Sequence, residues 1–108
     1  MAVYAINYML KERSPKDYKN LAAAIKGASD GDYLQVFDNF WMISSSSKAK
    51  EVYNHLAQFM RKGDAVLVQR VSSEFACALP GDAISWLQKV IKMEPDPVLP
   101  AFPPVDLP

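Results

Sequence analysis

Few residues in this chain have the types and spacing that chemistry requires. His55, the one histidine, stands beside Leu56 in a helical pattern with Glu51 four residues earlier, which puts an acid and an imidazole on one side of a helix. No nucleophile accompanies them, so His55 reads as a boundary residue of a packed helix rather than a catalyst. Asp30, Asp32 and Asp38 gather three carboxylates around the start of a hairpin. Such oxygens suit a hard cation, but their spacing matches no calcium loop and turn acids are normally solvated. Cys77, flanked by Ala76 and Ala78 with no cation beside it in sequence, reads as a core thiol. The run Ser44 to Ser47 carries no glycine, so it reads as a turn followed by a helix cap at Ser46 or Ser47, not as a phosphate loop. Tyr4, Tyr8, Phe37, Phe40 and Trp41, with Arg70 for charge, are the ingredients of a stacking platform for single-stranded nucleic acid. The aromatic-glycine strand motif of such modules is missing, so core or interface is the expected role for Tyr4, Phe40, Trp41 and Arg70.

Composition sets the frame for these groups. The chain has 108 residues, half of them hydrophobic, enough for one compact domain with a real core. Twelve basic and twelve acidic residues give a formal charge of zero, so nucleic acid is a possible partner that charge does not indicate. One cysteine permits no intrachain disulfide, and a reducing cytoplasm is the expected compartment. No leader pattern and no run of 18 apolar residues is found, so no membrane association is expected.

The elements that must position the groups follow from periodicity. Residues 1–10 read as a strand with apolar residues on both faces, hence a central strand. Ser14-Pro15 with Asp17 predicts a helix start, and Tyr18, Leu21, Ala22 and Ile25 carry the stripe over roughly 15–28, with Gly27 or Gly31 as the stop. Residues 33–37 and 40–44 predict a hairpin about Asp38-Asn39. Ala49, Val52, Tyr53, Leu56, Phe59 and Met60 predict a second helix ending near Gly63, followed by a strand over 64–71. A short strand is expected over 74–79 and a third helix after Pro80-Gly81-Asp82, burying Ala83, Trp86, Leu87, Val90 and Ile91. Six of the eight prolines lie beyond Glu94, so residues 93–108 are expected to be an extended tail on a 1–92 domain. Its Leu99, Phe102, Val105 and Leu107 are apolar enough to make the tail a docking peptide.

Strand, helix, strand, strand, helix, strand is the order of an α+β, ferredoxin-like βαββαβ sandwich, with two helices on one face of an antiparallel sheet. The other face needs cover from terminal elements or a second subunit, and a homodimer is expected. The run from Ala2 to about Ile91 resembles the Cas2 and VapD-type small proteins of bacteria and phages. Residues 3–8, Asp17-Tyr18, Leu21, residues 24–26, Tyr33-Leu34, Trp41, residues 64–68 and Trp86-Leu87 carry this resemblance.

Nuclease members of that family, the resemblance implies, hold a divalent metal on a carboxylate that follows the aromatic near the end of the first strand. Met9 occupies that place here. A thioether neither binds magnesium nor accepts a proton, and Asn7 offers an uncharged carbonyl oxygen. Asn7, Tyr8 and Met9 are therefore the candidate strand-end site, with no catalytic residue, metal or cofactor assigned. The expected function is non-catalytic binding of a macromolecular partner, a protein among the candidates, in a defence or toxin-antitoxin setting. An atypical metal-dependent ribonuclease or deoxyribonuclease using Asn7 or Asp38, and a small-ligand sensor or sponge at a dimer interface, are the alternatives.

Overall fold

The computed structural model describes residues 2–11, 14–72 and 78–91. The elements are β1 (Ala2–Met9), α1 (Pro15–Ala28), β2 (Tyr33–Phe37), β3 (Phe40–Ser45), α2 (Ala49–Ala57), β4 (Ala65–Val71) and α3 (Gly81–Ile91). The strands form one sheet in the order β2-β3-β1-β4 with every pair antiparallel. Four antiparallel strands and three helices make an α+β fold compatible with the ferredoxin-like expectation. The short strand expected over 74–79 lies mostly outside the described residues, as do Cys77 and the whole tail; Ala78 and Leu79 are in no strand.

β1 is central because both of its faces are sticky. Tyr4, Ile6 and Tyr8 join Trp41 and Ile43 beneath Leu21, Ala24 and Ile25 of α1 and Val52 and Leu56 of α2. On the opposite face Val3 and Met42 pack with Ala83 and Leu87 of α3, flanked by Leu34, Phe40 and Trp86. α3 thus supplies some of the cover for the second face. Burying a Leu or Ile side chain contributes roughly 1.5–3 kcal/mol, so the fully buried Ile6, Leu21, Ile25, Ile43 and Leu56 make the helix side the main store of stability.

Local signals place most boundaries. Ser14 caps α1, its Oγ accepting from the Asp17 N–H at 3.2 Å, with Pro15 at the first helical position. Two expectations are corrected. α1 stops at Ser29, whose N–H and Oγ both donate to the Lys26 carbonyl, while Gly27 stays helical and Gly31 (φ 96°) turns the chain toward β2. α2 is capped neither by Ser46 nor by Ser47: Lys48 holds that position, and its N–H donates to Glu51 Oε1 at 3.0 Å. The serines serve tertiary contacts instead, because a hydroxyl can close a backbone turn and reach a neighbouring element as well. Ser45 Oγ donates to the Ala28 carbonyl and accepts from the Ser47 N–H, while the Ser47 carbonyl accepts from the Tyr4 hydroxyl at 2.6 Å. α2 also ends earlier than its apolar spacing predicts, at Ala57, with Phe59 and Met60 in the turns that follow.

Candidate functional site at the end of the central strand

The carboxyl end of β1 is built around Tyr8. Its side chain falls on the helix side of the sheet, where the ring is buried beside Trp41 and lies 6.3 Å from the Tyr18 ring of α1, centroid to centroid. The hydroxyl donates to the Asp38 carbonyl at 2.6 Å and accepts from Trp41 Nε1 at 3.1 Å. Its backbone N–H donates to the Asn39 carbonyl at 3.1 Å. Two hydrogen bonds therefore latch the β2–β3 turn onto the strand end, and the third ties Tyr8 to Trp41 of β3. Burial pushes the Tyr8 phenol above its ordinary value, against the Trp41 hydrogen bond, and the neighbouring Tyr18 and Asp38 push the same way as burial.

Alternation sends Asn7 and Met9 to the opposite side of the sheet. Both are exposed, Met9 at 57 %, and the register sets Asn7 against Leu67 and Met9 against Ala65 of β4. A shallow hollow of about 330 Å³ runs over them and Leu67, itself 56 % exposed. On the helix side a larger cavity of about 550 Å³ opens over Tyr8, walled by Tyr18 and Ala22 of α1, Gln35 of β2 and the Asp38-Asn39 turn, with Met9 at its rim. The two hollows meet at the strand end, where both are lined by Tyr8, Met9 and Asn39, while Asn7 and Leu67 belong to the shallow one and Tyr18, Ala22 and Gln35 to the larger.

The other sequence candidates are dispersed. Glu51 is engaged at the start of its own helix, and His55 instead sets its ring 6.1 Å from Phe59, edge-on, with Nε2 facing Gly27 of α1. Asp30 lies near Ser46 Oγ at 3.5 Å, Asp32 accepts from Trp86 Nε1 at 2.8 Å, and Asp38 stands at the hairpin turn. Among the described residues no three His, Cys, Asp or Glu side chains gather to hold a metal ion. Tyr4 and Trp41 are buried under the helices, and Phe40 faces α3 from the other side of the sheet, so these rings share no common platform. Arg70 is exposed on β4 opposite Tyr4. Leu99, Phe102, Val105 and Leu107 lie outside the described residues.

Sequence reasoning missed the walls of the larger cavity. Tyr18 and Ala22 were legible only as a helix stripe, Gln35 only as a strand residue, and Asn39 only as half of a turn. The joining signal is the Tyr8 hydroxyl, a polar group on a buried strand face that must find a partner, but sequence does not say which turn supplies it. No helix among the described residues is long and apolar enough to cross a membrane. No protein-family model matches the chain, and no curated protein matches it by sequence.

Proposed function

We propose that the chain is a non-catalytic binding protein of ferredoxin-like βαββαβ architecture, related in fold to the Cas2 and VapD-type proteins it resembles. It works as a homodimer on a macromolecular partner in a defence or toxin-antitoxin setting. The observation that carries this reading is the half of the second sheet face that α3 leaves open, where Met9 and Leu67 stand exposed beside Asn7 and Ala65. Among the described residues that patch is mostly apolar and holds no carboxylate, at the very strand end where a metal-dependent hydrolase of this resemblance needs an acid.

A second copy suits the patch because β4 is, among the described residues, an edge of the sheet beside it. β4 runs seven residues in unbroken register with β1, contains neither proline nor lysine, and carries Arg70 as its one charge. Natural edge strands are normally blunted by such residues or by bulges. The opposite edge, β2, is shorter and irregular between Gln35 and Phe37. Two β4 strands placed antiparallel about a two-fold axis at Val68 would set Arg70 against Val66 and Leu67 against Gln69, with no like charges opposed.

Sedimentation velocity of the purified chain tests the reading, with a dimer expected and Leu67→Glu shifting it to monomer. A monomer at every concentration overturns the dimer. Incubation with labelled RNA and DNA in magnesium or manganese tests the absence of catalysis, and cleavage above a heat-killed control overturns it in favour of the nuclease reading.

A further inference from the structure

The cavity over Tyr8 borders that patch only at Met9, and we propose that it is a binding site for a small organic cation: an amidinium or protonated amine on a flat apolar body. Its volume of about 550 Å³ lies within the range of small-molecule pockets. Its lining has a consistent chemical bias. Among the described residues that line it, Asp38 is the one that carries a charge, with no lysine or arginine. Tyr8 has already given its hydroxyl proton to the Asp38 carbonyl, so the oxygen faces a ligand only as an acceptor. The Asp38 carboxylate and the Gln35 and Asn39 amides make no hydrogen bond to any described residue, which leaves their oxygens free to accept.

A ligand that satisfies these groups must bring donors, and an anion would meet a carboxylate with no cation among the described lining residues, Lys26 Nζ being held over the Tyr33 and Trp41 rings instead. Tyr18, beside Ala22, offers an aromatic face of the kind that attracts a positive charge or stacks on a flat ring. Carboxylate, amide oxygens and phenol rings in one half-open cavity form the recognition set for an organic cation. The same site disfavours nucleotides and other phosphate esters.

The test is titration of the ¹⁵N-labelled full chain with benzamidinium, with benzamide as its neutral isostere and benzoate as its anionic one, followed by NMR. Benzamidinium is expected to shift Ala22, Gln35 and Asn39 saturably, benzamide to bind about tenfold more weakly, and benzoate to leave these residues unmoved. Asp38→Asn removes the preference for the cation, and Gln35→Glu, at an exposed strand position, strengthens it. Benzamidinium leaving these residues unmoved at millimolar concentration overturns the proposal. So does benzoate binding as well as benzamidinium, or a Gln35→Glu protein that binds benzamidinium no better than the parent.

Discussion

Tyr8 couples the fold to the candidate site, and its hydroxyl is where that coupling is measurable. Tyr8→Phe keeps the ring and removes the oxygen, so the Asp38 carbonyl loses its donor and the buried Trp41 Nε1 loses its acceptor. Leaving a buried polar group unpaired costs about 1–3 kcal/mol, and urea denaturation of Tyr8→Phe is expected to show a loss of that size. An unchanged midpoint would mean that water replaces the phenol at no cost. Burial also gives this residue a pH signature. The folded phenol holds its proton more tightly than the unfolded one, so the stability it contributes is complete below pH 10 and is lost as pH rises through the higher folded value. Alkaline melts of parent and Tyr8→Phe are expected to converge as that range is crossed. Sequence exposed part of this. The aromatic type and the strand position of Tyr8 were plain, but its partners lie 30 and 33 residues away, and no local pattern encodes that distance.

Among the elements, those with local punctuation were legible and those shaped by tertiary demand were not. Ser14-Pro15 starts α1 where the sequence says, because a cap and a fixed φ act within one turn. Ser14→Ala is expected to cost about 1 kcal/mol, read as a lower melting temperature with the same fold. The serine run misled because it serves tertiary contacts instead of a helix end, the Ser45 hydroxyl donating to Ala28 of α1 and the Ser47 carbonyl accepting from Tyr4 of β1. Connections between elements were equally hidden. Asp64, just before β4, accepts from the backbone N–H of Lys11 after β1 and that of Arg61 after α2, both at 2.8 Å. These two bonds, Lys11 first and Arg61 second, hold its carboxyl below the usual carboxylate value. The folded value being depressed, its contribution is present above the ordinary range and is lost as pH falls through the folded one. Asp64→Ala is expected to flatten the acid limb of the stability profile, and a parallel loss at neutral and acid pH would refute the assignment.

At the scale of the molecule, the sheet divides the work between its faces. The helix side closes around Ile6, Ile25 and Leu56, whereas α3 covers only part of the other, leaving Met9 and Leu67 in solvent. An alternating sequence predicts two apolar faces on β1 but does not set how much surface a helix of eleven residues can cover, and that shortfall is what favours a second copy. For the apolar, proline-rich segment beyond Glu94 we propose a separate role. That segment lies outside the described residues; its proline content would lower the entropy lost on docking, and Leu99, Phe102, Val105 and Leu107 are the anchors we propose for a groove on another protein. A chain lacking residues 94–108 is therefore expected to keep the proposed dimer in sedimentation but to lose, in a pull-down, the macromolecular partner proposed for the full chain. Loss of the dimer instead would place the tail in the subunit interface, and unchanged capture of the partner would move recognition to the sheet itself.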